Sequence, residues 1–315
     1  MSWLNDAAFH RTASFMGVPD APTGAAPRAC IVGLPFDCGT HPFRVGSRQG
    51  PDAIREQSRL LRDFDLAERT GIDNANAYLR VVDTGNVRCP AGDPDTAFPL
   101  IEQAIGAIMD TGAIPVSLGG DGAVTLPQLR AVARRHPDFV VLHFDAHTDT
   151  YPIDGYNTAT TFTRAAEEKL FDVDASYHVG ARGTSFMTGV WEYTREVGYA
   201  VVPFDDFVPQ QAALLDDIRA RVGDRPVYLC FDMDIFDPSC APGVCTPEWG
   251  GLSAREGLAL LRRLSGLNFV AFDVNTVSPP QDVGGMTAFL AATVVQEFLA
   301  LAAVAVRDFP AGRPA

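Results

Sequence analysis

Basic residues are scarce in this sequence, and acidic residues outnumber them. The 315 residues include 25 Lys and Arg against 39 Asp and Glu, which gives a formal net charge of −14 at pH 7, and there is no Lys/Arg-rich run. A surface with this charge repels nucleic acids and anionic membranes, so we expect neither as a partner. The negative electrostatic potential of such a surface favours a small cationic ligand.

Signals for secretion, domain linkers and zinc sites are also missing. The N-terminal residues lack a charged stretch followed by an apolar core, no Gly/Ser/Pro linker or internal repeat divides the chain, and the six cysteines do not have paired zinc-type spacing. Cys30 and Cys230 lie in apolar runs, where reduced thiols pack as small hydrophobic groups. These features predict a cytoplasmic protein with reduced cysteines.

The most apolar segment, residues 287–306, is about long enough to cross a bilayer. Gln296 and Glu297 interrupt it midway, and such groups are rare inside membrane spans. We therefore predict a buried C-terminal helix and no membrane association.

Short β-rich apolar runs alternate with stretches of helical spacing, which predicts parallel strands joined by right-handed crossovers. The strands are apolar on both faces, which favours an α/β doubly wound open sheet with helices on both sides; a barrel is the alternative. We predict one domain over residues 1–315, with an N-terminal arm over 1–25 and a flexible tail over 310–315. The predicted strands are 29–34, 79–82, 113–118, 139–144, 177–179, 199–203, 227–231 and 269–272.

Polar motifs follow the ends of these strands, where open parallel sheets bind their ligands. HFDAHTD contains Asp145, His147 and Asp149, and FDMDIFD contains Asp232 and Asp234. Taken singly, Asp and Gly at strand ends are ordinary turn residues. Four carboxylates brought together repel one another and raise their pKa values unless a cation lies among them. The mixture of carboxylate and imidazole groups therefore predicts a site for Mn, Ni, Zn or Fe(II).

These motifs resemble those of the ureohydrolases, the family of arginase, agmatinase and related amidinohydrolases. The resemblance extends from PFDCGT at residues 35–40 to VSPPQD at residues 277–282 and the final helix. It implies an arginase/deacetylase-like domain with an eight-stranded parallel sheet, a trimer or hexamer, and a dinuclear metal site that hydrolyses a guanidinium group to urea and an amine. By this resemblance, five of the six metal ligands correspond to Asp145, His147, Asp149, Asp232 and Asp234.

Three positions depart from the family pattern. Gly122 stands where the family motif GGDH has the sixth metal ligand, a histidine. Thr158 replaces a histidine that transfers protons, and Thr276 replaces a glutamate that binds the guanidinium. A threonine hydroxyl has no pKa near neutrality and cannot replace the imidazole as acid or base. We therefore assign no catalytic residue and predict one bound divalent ion at most (Mn, Ni or Zn), with no bound ion as the alternative.

The three departures predict a subunit that retains the fold of the family but not its catalytic activity. The leading hypothesis is the structural or regulatory partner of an active ureohydrolase paralogue in a hetero-oligomer, an arrangement similar to that of metformin hydrolase. Trp249, where the family usually has proline, would then either cover the site mouth or face a partner subunit. One alternative is a stand-alone hydrolase with a single metal that cleaves a C–N bond of a guanidine or amide. Another is a regulatory protein that binds a small cationic guanidine.

Other residues carry weaker signals. His41 and Arg44 lie in the loop after the first predicted strand and could reach the site mouth, although a solvated loop is the simpler interpretation. His178 is predicted to be a core or rim histidine rather than a ligand. Cys240 and Cys245 are predicted to be structural thiols, with soft-metal binding as the alternative.

Overall fold

The computed structural model describes residues 8–10, 12–38, 43–64 and 70–310. The strands in this part of the chain are β1 (Phe9–His10), β2 (Ala29–Gly33), β3 (Val82–Val87), β4 (Ile114–Leu118), β5 (Val140–Phe144), β6 (Tyr177–Ala181), β7 (Ala200–Pro203), β8 (Val227–Asp232) and β9 (Phe269–Asn275). They form one sheet in the order β1-β3-β2-β4-β9-β8-β5-β6-β7. Every neighbouring pair is parallel except β1 and β3. The predicted sheet of eight parallel strands is confirmed, and a two-residue antiparallel strand extends one edge. The sheet ends at β1 and β7 and is therefore open, so the barrel alternative is wrong.

The helices of the described chain connect these strands. They are α1 (Gly50–Ser58), α2 (Ala75–Leu79), α3 (Pro94–Asp110), α4 (Thr125–Arg135), α5 (Thr161–Glu167), α6 (Val190–Val197), α7 (Phe204–Val222), α8 (Ala254–Arg263) and α9 (Met286–Asp308). Two of them begin at clear capping signals. Asp93 accepts a hydrogen bond from the backbone N of Thr96 at the start of α3, and Ser253 and Glu256 form a capping box at the start of α8.

Hydrophobic residues alternate between the two faces of each strand. In β5, Leu142 and Phe144 belong to the core on one face, whereas Val141 belongs to the core on the other. Residues of α9 pack in the first core and residues of α3 pack in the second. Helices therefore cover both faces of the sheet, as we predicted from strands that are apolar on both faces.

The prediction of a strand over residues 79–82 is wrong, because Leu79 ends α2 and β3 follows it. Much of β3 is polar, yet it is buried. Asp83 accepts a hydrogen bond from Arg55 Nε at 2.8 Å, and Asn86 accepts one from Arg55 Nη1 at 2.5 Å. Because buried polar groups with hydrogen-bond partners are tolerated in a core, a polar segment can form an inner strand that the apolar pattern does not reveal.

The apolar C-terminal segment forms α9, as predicted. By length and composition this helix could cross a membrane, but 78% of its most apolar window is buried inside the protein. Glu297, near its middle, accepts a hydrogen bond from Arg262 Nε at 2.9 Å. Helix α9 is therefore a core helix of the domain.

Part of the predicted N-terminal arm packs against the sheet. Phe15 is fully buried, and its backbone N donates to Asp83 Oδ2 at 2.8 Å. Residues 1–7 and 11 of the arm, and residues 311–315 of the predicted tail, lie outside the described residues.

Candidate metal centre

The predicted ligands lie at the carboxyl edge of the sheet. Strands β5 and β8 are neighbours, with Phe144 opposite Phe231, so the residues that follow the two strands meet at this edge. The predicted carboxylate ligands are all nearly fully buried there, namely Asp145, Asp149, Asp232 and Asp234. The sheet topology therefore brings together two motifs that are far apart in the sequence.

Two groups of three side chains have donor atoms close enough to hold an ion, since the atoms in each group lie within 4.8 Å of one another. The first group comprises Asp145, His147 and Asp234. His147 Nδ1 lies 3.2 Å from Asp145 Oδ1 and 3.1 Å from Asp234 Oδ2. The second group comprises His143, Asp145 and Asp149. Asp145 is therefore common to both groups.

Asp232 belongs to neither of these groups within the described part of the chain. Its Oδ1 accepts hydrogen bonds from the backbone N of Asp234 at 2.8 Å and from Thr276 Oγ1. The resemblance assigned Asp232 as a metal ligand, and both of these hydrogen bonds go to Oδ1 rather than to Oδ2 of its carboxylate.

Burial and mutual repulsion dominate the electrostatics of the cluster. Burial, followed by the charge of Asp145, raises the pKa of Asp149 well above its ordinary value, and burial and neighbouring carboxylates do the same for the pKa of Asp232. Burial also acts to raise the pKa of Asp145, but His143 and His147 outweigh it and hold that pKa well below its ordinary value. A cation among the carboxylates would relieve their repulsion, so the donor set fits a divalent metal ion.

Gly122 lies beside this cluster, at the start of the 3₁₀ turn that follows β4. An ideal Cβ built on Gly122 would lie 3.0 Å from Asp149 Oδ2 and 2.8 Å from Thr158 Cγ2. A side chain at this position would therefore point toward Asp149, but glycine offers no donor atom.

Comparison with known proteins agrees with this geometry, because the arginase family model matches residues 27–301. The chain belongs to the arginase family. Proclavaminate amidinohydrolase of Streptomyces clavuligerus is 37% identical over 290 residues, which cover 91% of this chain and 91% of that protein. Guanidinobutyrase of Pseudomonas aeruginosa is 37% identical over 275 residues, which cover 86% of this chain and 85% of that protein.

Solved structures of arginase-family members have the same fold. Proclavaminate amidinohydrolase from Streptomyces clavuligerus superposes with a TM-score of 0.87 at 35% identity, covering 95% of this chain and 100% of that one. A hypothetical agmatinase from Burkholderia thailandensis gives 0.82 at 34% identity, covering 94% and 92%. The family normally binds divalent metals, manganese among them. Such an ion supplies Lewis-acid chemistry when it is bound.

The two threonines that depart from the arginase-family pattern also lie at the cluster. Thr158 begins a short 3₁₀ turn, and its Oγ1 is buried without a hydrogen-bond partner among the described residues. Thr276 adopts a left-handed backbone with φ 69°, and its hydroxyl donates to Asp232. Neither hydroxyl titrates near neutrality, so neither supplies a general acid or base at this place.

His143 is a site residue that the sequence patterns did not single out. It is fully buried, and its Nε2 lies 2.9 Å from Asp145 Oδ2. Its Nδ1 lies 2.7 Å from Nδ1 of His178, which is a buried core histidine as predicted. Burial lowers the pKa of His178 well below its ordinary value. The available signal was strand alternation, because residues two apart in a strand share a face and His143 precedes Asp145 by two.

A cavity of about 390 Å³ borders the cluster. Phe186, on its wall, stacks on Tyr151 with ring centroids 4.9 Å apart. The other lining residues include Phe43, Arg44, His147, Asp149, Thr158 and Glu248. The cavity is large enough for a small molecule and is lined by both aromatic side chains and acidic groups.

Arg44 lines this cavity, but its guanidinium is held by the protein. Its Nη2 donates to the carbonyl oxygens of Pro242 at 3.0 Å and Val244 at 2.7 Å. The interpretation of Arg44 as a solvated loop residue is therefore wrong, because it anchors the loop that follows β8. His41, predicted together with it, lies outside the described residues.

The remaining predicted residues lie around this loop. The side chain of Trp249 is 75% exposed. Cys240 Sγ lies 3.4 Å from the carbonyl oxygen of Asp237, and Cys245 Sγ lies 2.7 Å from Ser47 Oγ. All six cysteines are free, and neither of these two belongs to a candidate metal group in the described residues. Their contacts are those of structural thiols.

Proposed function

We propose that this chain is a non-catalytic, agmatinase-like subunit. In this proposal it is the structural or regulatory partner of an intact ureohydrolase paralogue in a mixed trimer or hexamer. The complex hydrolyses a guanidine-type substrate to urea and an amine. By similarity with metformin hydrolase, metformin is the specific substrate that we propose to test first.

The proposal rests on the packing around Gly122. The methyl group of Thr158 and the carboxylate of Asp149 occupy the space that a side chain at position 122 would enter. Gly122 therefore supplies no sixth ligand, and the methyl group of Thr158 lies where a side chain at this position would extend. A pair of metal ions bound in the family pattern would lose one imidazole ligand here. The ion beside Asp149 would therefore be bound more weakly.

The two threonines add to this argument. At position 158 a hydroxyl stands where the family transfers protons, and at position 276 the hydroxyl is bonded to Asp232 instead of being directed at a substrate. Losing a proton-transfer group or a transition-state charge partner commonly lowers a rate by ~10²-fold or more. Such effects are not additive, but together they argue against rapid guanidine hydrolysis by this chain.

The intact scaffold supports a role in assembly. The family match extends over most of the chain, and three aromatic side chains are largely exposed, two of which line the cavity while the third directly follows a lining residue, Glu248. We call these the aromatic rim: Phe43 at 74% exposure, Phe186 at 72% and Trp249 at 75%. Exposed aromatic groups clustered in one region are typical of surfaces that bind another protein.

Co-expression with a catalytically intact paralogue tests this proposal. We expect native mass spectrometry to find a mixed oligomer, and we expect urea release from metformin by the complex but not by this chain alone. As a matched pair, Asp145→Ala in this chain should leave the activity of the complex unchanged, whereas changing the corresponding aspartate of the paralogue should abolish it.

Two other results would reject the proposal in favour of its alternatives. Rapid hydrolysis of a guanidine or amide by the isolated, metal-loaded chain would identify a stand-alone hydrolase that uses the Asp145, His147 and Asp234 group. Tight binding of agmatine, guanidine or a biguanide, without turnover and without assembly, would identify a guanidine-binding regulatory protein.

A further inference from the structure

We infer that His143 is a metal ligand in this chain and replaces the imidazole that is lost at Gly122. With Asp145 and Asp149 it forms a site for one divalent ion, on the side of the cluster where the family pattern is incomplete. This inference concerns metal binding by the isolated chain and does not depend on the non-catalytic role proposed above.

The position of His143 makes this role geometrically feasible. It lies on β5 and Asp145 directly follows that strand, two residues later, where its Oδ2 lies 2.9 Å from His143 Nε2. One donor atom from each of His143, Asp145 and Asp149 lies within 4.8 Å of the other two. All three residues are buried, so few waters compete for an ion at this place.

His143 contacts a carboxylate through one ring nitrogen and a second histidine through the other. Its Nε2 lies 2.9 Å from Asp145 Oδ2, and in the metal-free protein this N–H donates to the carboxylate, because a carboxylate only accepts. Its Nδ1 lies 2.7 Å from Nδ1 of His178. An ion at this place therefore takes the position of the proton that His143 shares with Asp145.

Release of that proton leaves a lone pair on His143 Nε2 beside Asp145 Oδ2, and a bound cation then contacts both atoms. Metal-ligating histidines characteristically donate their other ring N–H to a partner that orients them, and His178 Nδ1 lies within hydrogen-bond distance of His143 Nδ1.

Packing holds the His143 ring in this orientation. Its centroid lies 4.4 Å from that of Phe162 and 4.9 Å from that of His178. Tyr199 packs on the other side of His178 at 4.4 Å. The imidazole is therefore held in place before an ion arrives, as an effective ligand requires.

Manganese binding by the metal-free full-length chain tests the inference. Isothermal titration with Mn²⁺ gives the affinity and stoichiometry, and pulsed EPR detects the coupling of a ligating nitrogen to Mn²⁺. We expect His143→Gln to bind Mn²⁺ at least tenfold more weakly than the wild type. His147→Gln should keep a nitrogen-coupled ion because it leaves the His143 group intact. His10→Gln, on the edge strand β1, is the matched control and should bind as the wild type does.

His178→Phe provides a second variant that leaves the His143 ring in place. It removes the nitrogen that faces His143 Nδ1 but keeps an aromatic ring, and we expect about tenfold weaker binding of the same ion, the size of effect seen when a supporting partner of a ligand is lost. Wild-type affinity in both His143→Gln and His178→Phe would overturn the inference. So would the absence of nitrogen coupling in His147→Gln, or a wild-type chain that binds no Mn²⁺. None of these readouts depends on assembly with a partner or on urea release.

Discussion

Thr276 donates its hydroxyl hydrogen bond to Asp232 while its own backbone is left-handed, with φ 69°. This conformation is unfavourable for a β-branched residue, costing roughly 1–2 kcal/mol. Removing one partner of a buried hydrogen bond costs about 1–3 kcal/mol. The bond to Asp232 therefore offsets the strain, and the side chain at this position serves the internal structure of the cluster.

Substitutions at position 276 should separate these two effects. Thr276→Val keeps the branched side chain but removes the hydroxyl, and we expect it to lower the free energy of unfolding by about 1–3 kcal/mol because buried Asp232 loses a hydrogen-bond partner. Thr276→Ser keeps the hydroxyl and, because it is not β-branched, relieves part of the strain, so it should be at least as stable as the wild type. Urea unfolding of the metal-free proteins measures both, and equal stability of Val and Thr would rule out a stabilising bond to Asp232.

Restoring a histidine at position 122 should succeed only when Thr158 is also changed. A Cβ at position 122 would meet Thr158 Cγ2 at 2.8 Å, closer than side chains pack. We expect Gly122→His alone to lower the melting temperature and to bind Mn²⁺ no more tightly than the wild type. Gly122→His with Thr158→Ala removes the obstructing methyl group, so it should recover stability and bind the ion beside Asp149 more tightly than the wild type, measured by isothermal titration with Mn²⁺. A stable single variant that binds Mn²⁺ more tightly than the wild type would contradict the steric argument.

The sequence predicts the fold and the family well because both depend on features that lie within short segments. Apolar runs with helical stretches between them indicate the parallel sheet, and the acidic motifs after β5 and β8 meet because those strands are neighbours. The segment of β3 was missed because Asp83 and Asn86 look like loop residues until Arg55 is placed against them. His143 was missed because a histidine in an apolar strand looks like a core residue, although it precedes Asp145 by two, and its other partner, His178, is distant in sequence. Long-range polar pairs are thus what the sequence patterns do not reveal.

Arg55 provides a test of this buried pairing. It is fully buried, and its Nε and Nη2 donate to the two carboxylate oxygens of Asp83 at 2.8 and 2.9 Å. Arg55→Met leaves that carboxylate buried without its cation, so we expect the free energy of unfolding to fall by about 3–5 kcal/mol. Arg135→Met breaks a solvent-exposed pair with Asp110 and should lower it by less than about 1 kcal/mol. Similar losses in both variants, measured by denaturant unfolding, would argue that burial does not set the strength of the Arg55 pair.

Metal removal should make stability depend on pH in a defined direction. Burial and like charges raise the pKa values of Asp149 and Asp232 above their ordinary values, so the folded state favours their protonated forms. Burial lowers the pKa of His147, but Asp234 and Asp145 outweigh it and raise that pKa well above its ordinary value, so protonation of His147 also stabilises the fold.

For all three groups the sign of the linkage is the same, because a folded-state pKa above the unfolded value means that stability falls as pH rises toward the folded pKa. A bound cation pairs with the ionised carboxylates and removes this loss. We therefore expect the gap in melting temperature between Mn²⁺-loaded and EDTA-treated protein to be wider at pH 8 than at pH 5. Asp149→Asn deletes one of the repelling charges, so the metal-free variant should lose less stability over the same pH range. A gap that narrows with rising pH would mean that the carboxylates of the metal-free protein do not repel one another.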